Sequence, residues 1–190
     1  MQWNTDDAKE QQGLLLQSLN VNVPNNAKQQ VAFDTIMESI DNSMVEAGRD
    51  DMTAHIFHII TGPGGTGKSS LFRKLHAACR SKGLLISICA ATGLAALLFD
   101  GATTAHSLFY YPVVEEDDVH DQDPPQCEFN KQRSDFLKQV SVIFWDEFIS
   151  SDRMVMEAVL ATFKTRWELP RYYVFIRTGD FSQVSVLPRT

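Results

Sequence analysis

Apolar residues in this chain follow two periods. Short unbroken runs occur at HIFHII, LLISICA, VSVIFW and within RYYVFIRTGD, each bounded by polar or turn residues. Runs of this length and composition predict buried β-strands. Between them the spacing turns helical. In KQQVAFDTIMESIDNSM the apolar positions Val31, Phe33, Ile36, Met37 and Ile40 share one helical face. A second helix is expected from Lys68 to Lys82, ended by Gly83. TGLAALLF and RSDFLKQ predict short helices, and DRMVMEAVLATFKTRW a longer one. DGATTAHSLF is expected to be a loop with a helical turn. Strands alternating with helices imply βαβ units, hence an α/β fold with a mainly parallel sheet and helices on both faces.

The polar segments set the limits. Residues 1–26 are polar and end in the loop-like VNVPNNA; residues 27–190 then form one domain. Residues 111–130 are acidic and contain Pro124-Pro125, so an exposed, mobile loop is expected there. No apolar stretch reaches the length of a membrane span, and MQWNTDDAKEQQG has neither a secretory h-region nor an Arg-rich transit pattern. Cys79, Cys89 and Cys127 are widely separated, without a CxxC or a paired His, and read as free thiols of a reducing compartment.

Charge changes this picture little. The 190 residues carry a formal net charge of −7, unlike the basic footprint of most nucleic-acid binders. Yet Glu115, Glu116, Asp117, Asp118, Asp121 and Asp123 sit together without a Lys or Arg. The remainder is close to neutral, and a local basic groove is compatible with it.

Candidate chemistry clusters where the predicted strands end, which is where ligands bind in open parallel sheets. After the first strand, Gly62-Pro63-Gly64-Gly65-Thr66-Gly67-Lys68-Ser69 satisfies GxxxxGK[ST] in full. The glycines let successive backbone N–H groups close on phosphates, and the helix that follows adds its positive end. Lys68 would neutralise the β- and γ-phosphates of ATP, and Ser69 would ligate Mg²⁺. The competing reading, a glycine-rich turn without a ligand, is outweighed by the strand before the loop and the helix after it. The third strand ends in Asp146-Glu147. Asp146 would hold Mg²⁺ through its waters, and Glu147 would take a proton from an attacking water. The alternative role is an acid pair facing a helix dipole. The fourth strand ends in Gly179-Asp180-Phe181-Ser182-Gln183, where a glutamine could sense a γ-phosphate; on residue chemistry alone this is an ordinary loop. The segment after the second strand offers Thr92, Thr103, Thr104, His106, Ser107, Phe109, Tyr110 and Tyr111. Hydroxyls there could hold a phosphodiester chain and rings could stack on bases. Without further information the simpler reading is preferred: core aromatics and a satisfied structural histidine.

Taken together, these motifs resemble the PIF-type (petite integration frequency) 5′-to-3′ DNA helicases of superfamily 1, especially the helicase part of Helitron rolling-circle transposons. The resemblance runs from about Leu19 to Pro188, in the family's order. KQQVAFDTI supplies Gln29, which the resemblance makes an adenine contact. TGPGGTGKSS supplies nucleotide contacts from Gly62 through Ser70. AATGLAALLFDGATTAHSLF resembles the DNA-contacting block and assigns Thr92, Gly93, Thr104, His106, Ser107 and Phe109 to single-stranded DNA. CEFNKQRSDFL is similar to the linker before the acidic motif. FWDEF and GDFSQV complete the set, with Gln183 as γ-phosphate sensor. Two departures stand out: Phe148-Ile149 after the acid pair, and Val184-Ser185-Val186 separating Gln183 from Leu187-Pro188.

The resemblance implies a RecA-like P-loop NTPase fold and a chain that is the first motor half of a helicase. The second RecA-like domain, with its arginine finger, is missing from the 190 residues. ATP and Mg²⁺ are the implied substrate and metal, and single-stranded DNA the implied partner. It also implies nuclear roles in DNA repair, recombination and telomere maintenance. The isolated half is expected to hydrolyse slowly and not to unwind. Two further readings stay open: a catalytically dead nucleotide-binding remnant of a transposon helicase, and a small-molecule P-loop kinase, whose lid the acidic 111–130 segment suits poorly.

Overall fold

In this computed structural model the described residues are 25–46, 56–111, 127–165 and 174–180. Five strands form one sheet: β1 (Ile56–Thr61), β2 (Ile86–Ala90), β3 (Thr103–Thr104), β4 (Val142–Asp146) and β5 (Val174–Gly179). Their spatial order is β1-β5-β4-β2-β3, and every pairing is parallel. The helices are α1 (Ala27–Glu46), α2 (Lys68–Ser81), α3 (Gly93–Ala96), α4 (Ala105–Phe109), α5 (Lys131–Leu137) and α6 (Arg153–Thr165), with a 3₁₀ turn at Phe148–Ser150. The α/β architecture with a parallel sheet is therefore as the pattern predicts. No helix among the described residues is long and apolar enough to cross a membrane.

Alternation along the strands divides the core into two layers. Val142, Phe144, Val174 and Ile176 pack against Ile36, Ile40, Leu71, Phe72 and Leu75 of α1 and α2. Ile143, Trp145 and Phe175 point the other way, toward Leu108 and Phe109 of α4 and Val155, Val159 and Phe163 of α6. Aromatic rings hold each layer. Phe72 meets Phe144 edge-on at 4.5 Å. Phe163 meets Phe175 at 5.7 Å and Phe109 at 6.1 Å, both edge-on. Such pairs add roughly 0.5–1.5 kcal/mol each to the burial of their area.

Three expectations need correction. HIFHII is not buried on both sides: β1 alternates, with Phe57 and Ile59 exposed at 38% and 47%. The cause is its place at the end of the strand order, where only β5 pairs with it among the described residues. The segment 111–130 is also not exposed throughout. Tyr111, Cys127 and Phe129 are buried in the α4–α6 layer, and the Cys127 N–H donates to Thr162 Oγ1. The acidic stretch between them lies outside the described residues. TTAH, expected as loop, contributes the two-residue strand β3.

All three cysteines are buried thiols outside any disulfide. Burial pushes the Cys79 thiol up to about 12, and raises Cys89 as well. They serve as small apolar fillers.

His76 lies edge-on to Phe144 at 6.0 Å. Burial, with a smaller push from the charge of Arg80, lowers its pKa from 6.5 to about 4. The unfolded chain therefore binds more protons than the folded one between these values, and stability falls as pH drops through that window. We expect this residue to make the fold about 2 kcal/mol less stable at pH 5 than at pH 8. Urea unfolding at the two pH values measures it, and His76→Leu should flatten the dependence. Gly179 gives a second expectation, because an added Cβ would lie 2.3 Å from Ile149 Cδ1 and 3.1 Å from its Cβ. Gly179→Ala should cost about 1–3 kcal/mol, the usual scale for overpacking, read as a lowered urea midpoint.

Candidate functional site

The strand register puts the carboxyl ends of all five strands in one row. Thr61 pairs with Gly179 and Ile60 with Thr178. Trp145 pairs with Arg177. Ala90 pairs with Asp146 on one side and Thr104 on the other. Four inter-strand spacings of about 4.8 Å separate β1 from β3, so the row spans roughly 19 Å. The candidate motifs leave the sheet from this row.

At one end, Gly62–Gly67 links β1 to α2. Gly65 and Gly67 have φ of 76° and 85°, a conformation costly for any side chain. A Cβ on Gly67 would also lie 2.5 Å from Gln29 Nε2. The loop is braced internally: the Thr66 hydroxyl donates to Pro63 O at 2.8 Å. The Lys68 ammonium donates to the carbonyls of Gly62 and Pro63, the latter at 2.9 Å. Lys68, Ser69 and Ser70 form the first turn of α2, where helix N–H groups lack helical partners. The predicted residues Gly62, Pro63, Gly64, Gly65, Thr66 and Gly67 thus form one loop wrapped over a helix start.

Gln29 reaches this loop from α1. Asn26 and Gln29 form a reciprocal capping box: the Gln29 N–H donates to Asn26 Oδ1 at 2.9 Å, and the Asn26 N–H to Gln29 Oε1 at 3.1 Å. The Gln29 amide then donates to Thr66 O at 3.0 Å. One N–H of that amide lies outside these bonds. Sequence reasoning placed Gln29 at the site but missed its helix-capping role; the Asn-x-x-Gln spacing is the signal that carries it.

The acid pair lies two strands from β1. Asp146 has the same parity as Val142 and Phe144, so its side chain projects on the α2 side of the sheet. It is 5% exposed. The Thr178 hydroxyl donates to Asp146 Oδ1 and accepts the Glu147 N–H at 3.2 Å. Glu147 is exposed and left-handed, with φ 49° and ψ 34°, a conformation costing a non-glycine residue about 1–2 kcal/mol. Its carbonyl accepts the Ser150 N–H at 2.9 Å, which closes the 3₁₀ turn. The left-handed backbone ends the strand and lifts Glu147 away from the sheet while Asp146 stays in it. Asp146 Oδ2 lies outside the Thr178 bond, and Ser69 is in the first turn of α2, the helix that covers the same side of the sheet. An all-oxygen set of this kind fits a hard cation such as Mg²⁺. Thr178 was missed from sequence, because β5 becomes the neighbour of β4 only once the strand order is known.

The far end of the row carries the block assigned to DNA. Thr92 and Thr104 cap α3 and α4; their hydroxyls accept the N–H groups of Ala95 and Ser107, each at 3.2 Å. The Thr104 and Ser107 hydroxyls are 3.1 Å apart. Gly93 and Ser107 are exposed, and His106 is partly buried, edge-on to Tyr111 at 5.5 Å. Phe109 is a correction. It is wholly buried against Trp145 and Phe163, so its ring is core and closed to a base. Tyr110 turns outward instead, with φ 50° and the Arg133 guanidinium 4.6 Å from its ring centre. Gln183 lies outside the described residues, so the site described here ends at Asp180.

The family model of PIF1-like helicases matches residues 25–188. Among solved structures, Pif1 helicase from Bacteroides in complex with ADP-AlF3 and single-stranded DNA superposes with a TM-score of 0.61 at 19% identity, over 89% of this chain and 35% of that one. Bacteroides Pif1 bound to single-stranded DNA gives 0.54 at 19% identity, over 81% of this chain and 33% of that one. A Pif1 structure described for DNA unwinding at forked double-stranded DNA gives 0.60 at 19% identity, over 88% and 36%. At such identity the likeness is one of fold, the RecA-like P-loop domain. The chain spans about a third of the length of these relatives. Comparison with curated protein sequences gave no significant match. The family match covers most of the chain: the chain belongs to the PIF1-like helicase family.

Proposed function

We propose that this domain is the first of two RecA-like halves of an ATP-driven 5′-to-3′ DNA motor. It would bind ATP at Gly62–Ser70 and couple hydrolysis to movement along single-stranded DNA. The observation that carries the reading is the row of strand ends, which sets the phosphate loop, the acid pair and the Thr104–Ser107 block along one edge of one sheet. Family membership and the nucleotide and single-stranded DNA held by the Bacteroides relatives support it. Action in the nucleus, in repair, recombination or telomere maintenance, belongs to the same proposal and rests on the family alone.

In this reading Lys68 leaves its carbonyl partners to meet the β- and γ-phosphates. The N–H groups of the loop and of the first turn of α2 hold the phosphate oxygens. Ser69 and Asp146 would hold Mg²⁺, which offsets phosphate charge when bound. Glu147, lifted off the sheet, orients the attacking water and takes its proton. Gln183, carried beyond β5, reports the γ-phosphate to the second half of the motor. Gln29 spends its remaining N–H on the adenine ring.

Steady-state ATP hydrolysis with and without single-stranded DNA tests the proposal. We expect a slow rate, raised by DNA, that falls about 100-fold in Lys68→Ala, the scale of losing one preorganised charge donor. A rate equal in the wild type and in Lys68→Ala would overturn it in favour of a nucleotide-binding remnant. Gln29→Ala should do two separable things. Without nucleotide it should lower stability by about 1 kcal/mol through the lost cap. With nucleotide it should reduce the preference for ATP over GTP, read from competition binding.

A further inference from the structure

The two acids of the site are tied to the neighbouring strand by a single hydroxyl. Thr178 lies in β5, 1% exposed, with its side chain on the α2 side together with Val174 and Ile176. The direction of its hydrogen bonds follows from the partners. The Glu147 N–H can only donate, so Thr178 Oγ1 accepts from it at 3.2 Å. An ionised Asp146 can only accept, so the Thr178 hydrogen points to Asp146 Oδ1. One hydroxyl therefore fixes three things: the rotation of the Asp146 carboxylate, the oxygen it turns away from β5, and the backbone turn that sends Glu147 off the sheet.

The next residue continues the same fit. A side chain at Gly179 would run into Ile149, two residues past Glu147. Arg177, one residue earlier, stacks its guanidinium on Phe148, 4.4 Å from the ring centre. Three successive residues of β5 thus meet three successive features of the turn after β4: Phe148, the acid pair, and Ile149. In sequence, Gly179 and Asp180 open the GDFSQ motif.

We infer that Thr178 is a positioning residue for nucleotide hydrolysis, holding Asp146 for the cation and Glu147 for the water in one fixed geometry. The inference rests on the ATPase reading above. It assigns to β5 a task that GDFSQ does not contain: any shift of the strand end carrying that motif moves the acid pair with it.

The test compares Thr178→Val, which keeps shape and removes the hydroxyl, with Thr178→Ser, which keeps the hydroxyl and removes the methyl group. Binding of ADP carrying a fluorescent ribose label is measured in EDTA and in Mg²⁺, beside kcat and KM for ATP and thermal unfolding in EDTA. We expect Thr178→Val to bind in EDTA like the wild type, to lose about tenfold of the affinity gained with Mg²⁺, and to drop kcat about 100-fold at little-changed KM. Thr178→Ser should retain the Mg²⁺ gain and kcat even where its unfolding temperature falls. If Thr178→Val does not fold, Thr178→Cys, which replaces the hydroxyl with a weakly bonding thiol and is compared with Thr178→Ser of the same shape, is read against the same outcomes. A wild-type Mg²⁺ gain and kcat in the hydroxyl-free variant, or a Thr178→Ser as impaired as it, would overturn the inference. A wild-type chain that binds no labelled ADP would instead overturn the ATPase reading itself. Wild-type binding without hydrolysis would leave the Mg²⁺ gain to decide the role of Thr178.

Discussion

Parallel pairing in a fixed register is the constraint on which the molecule depends. A parallel ladder sends every strand in the same direction, so each chain exit falls on one edge and each return must be made by a helix or loop over a face. With Thr61 opposite Gly179 and Ala90 opposite both Asp146 and Thr104, backbone register alone brings together segments more than a hundred residues apart. A slip of one residue in β4 would turn Asp146 to the α6 side and bury Glu147 in its place. The apolar alternation of Val142 and Phe144 against Ile143 and Trp145 therefore secures more than the core. It fixes which carboxylate faces the helix that starts at Lys68.

Much of this was legible in the sequence because it is local. A full phosphate-loop octapeptide, apolar runs of strand length and helical spacing in α1, α2 and α6 each declare themselves within a dozen residues. What stayed hidden is non-local. Strand order is not encoded in any one segment, so β1 read as a buried strand when, among the described residues, it pairs only with β5, and Thr178 drew no assignment. Phe109 shows the opposite limit. A motif assigned its ring to DNA, while the packing of α4 turns it between Trp145 and Phe163. In a five-residue helix capped by Thr104 there is no freedom for Leu108 and Phe109 to face anywhere but the core.

The Thr92–Ser107 block also shows how hydroxyls serve the fold. Thr92 and Thr104 already accept helix N–H groups, each the kind of bond worth about 1 kcal/mol at a helix start. The Thr104 hydroxyl also donates to Ser107 Oγ at 3.1 Å, so that residue both accepts from and donates to the same turn.

The Gln29 amide joins two structures that are far apart in sequence. It closes the first turn of α1 through Asn26 and rests on the carbonyl of Thr66. Order at the start of α1 and the shape of the phosphate loop are thus one thermodynamic system. A ligand that draws Gln29 from Thr66 shifts the fraying of the first helical turn, and by reciprocity whatever stiffens or loosens the chain ahead of Asn26 shifts affinity at the loop by the same factor. The N-terminal edge of the domain becomes a handle on its phosphate site, operated through one hydrogen bond.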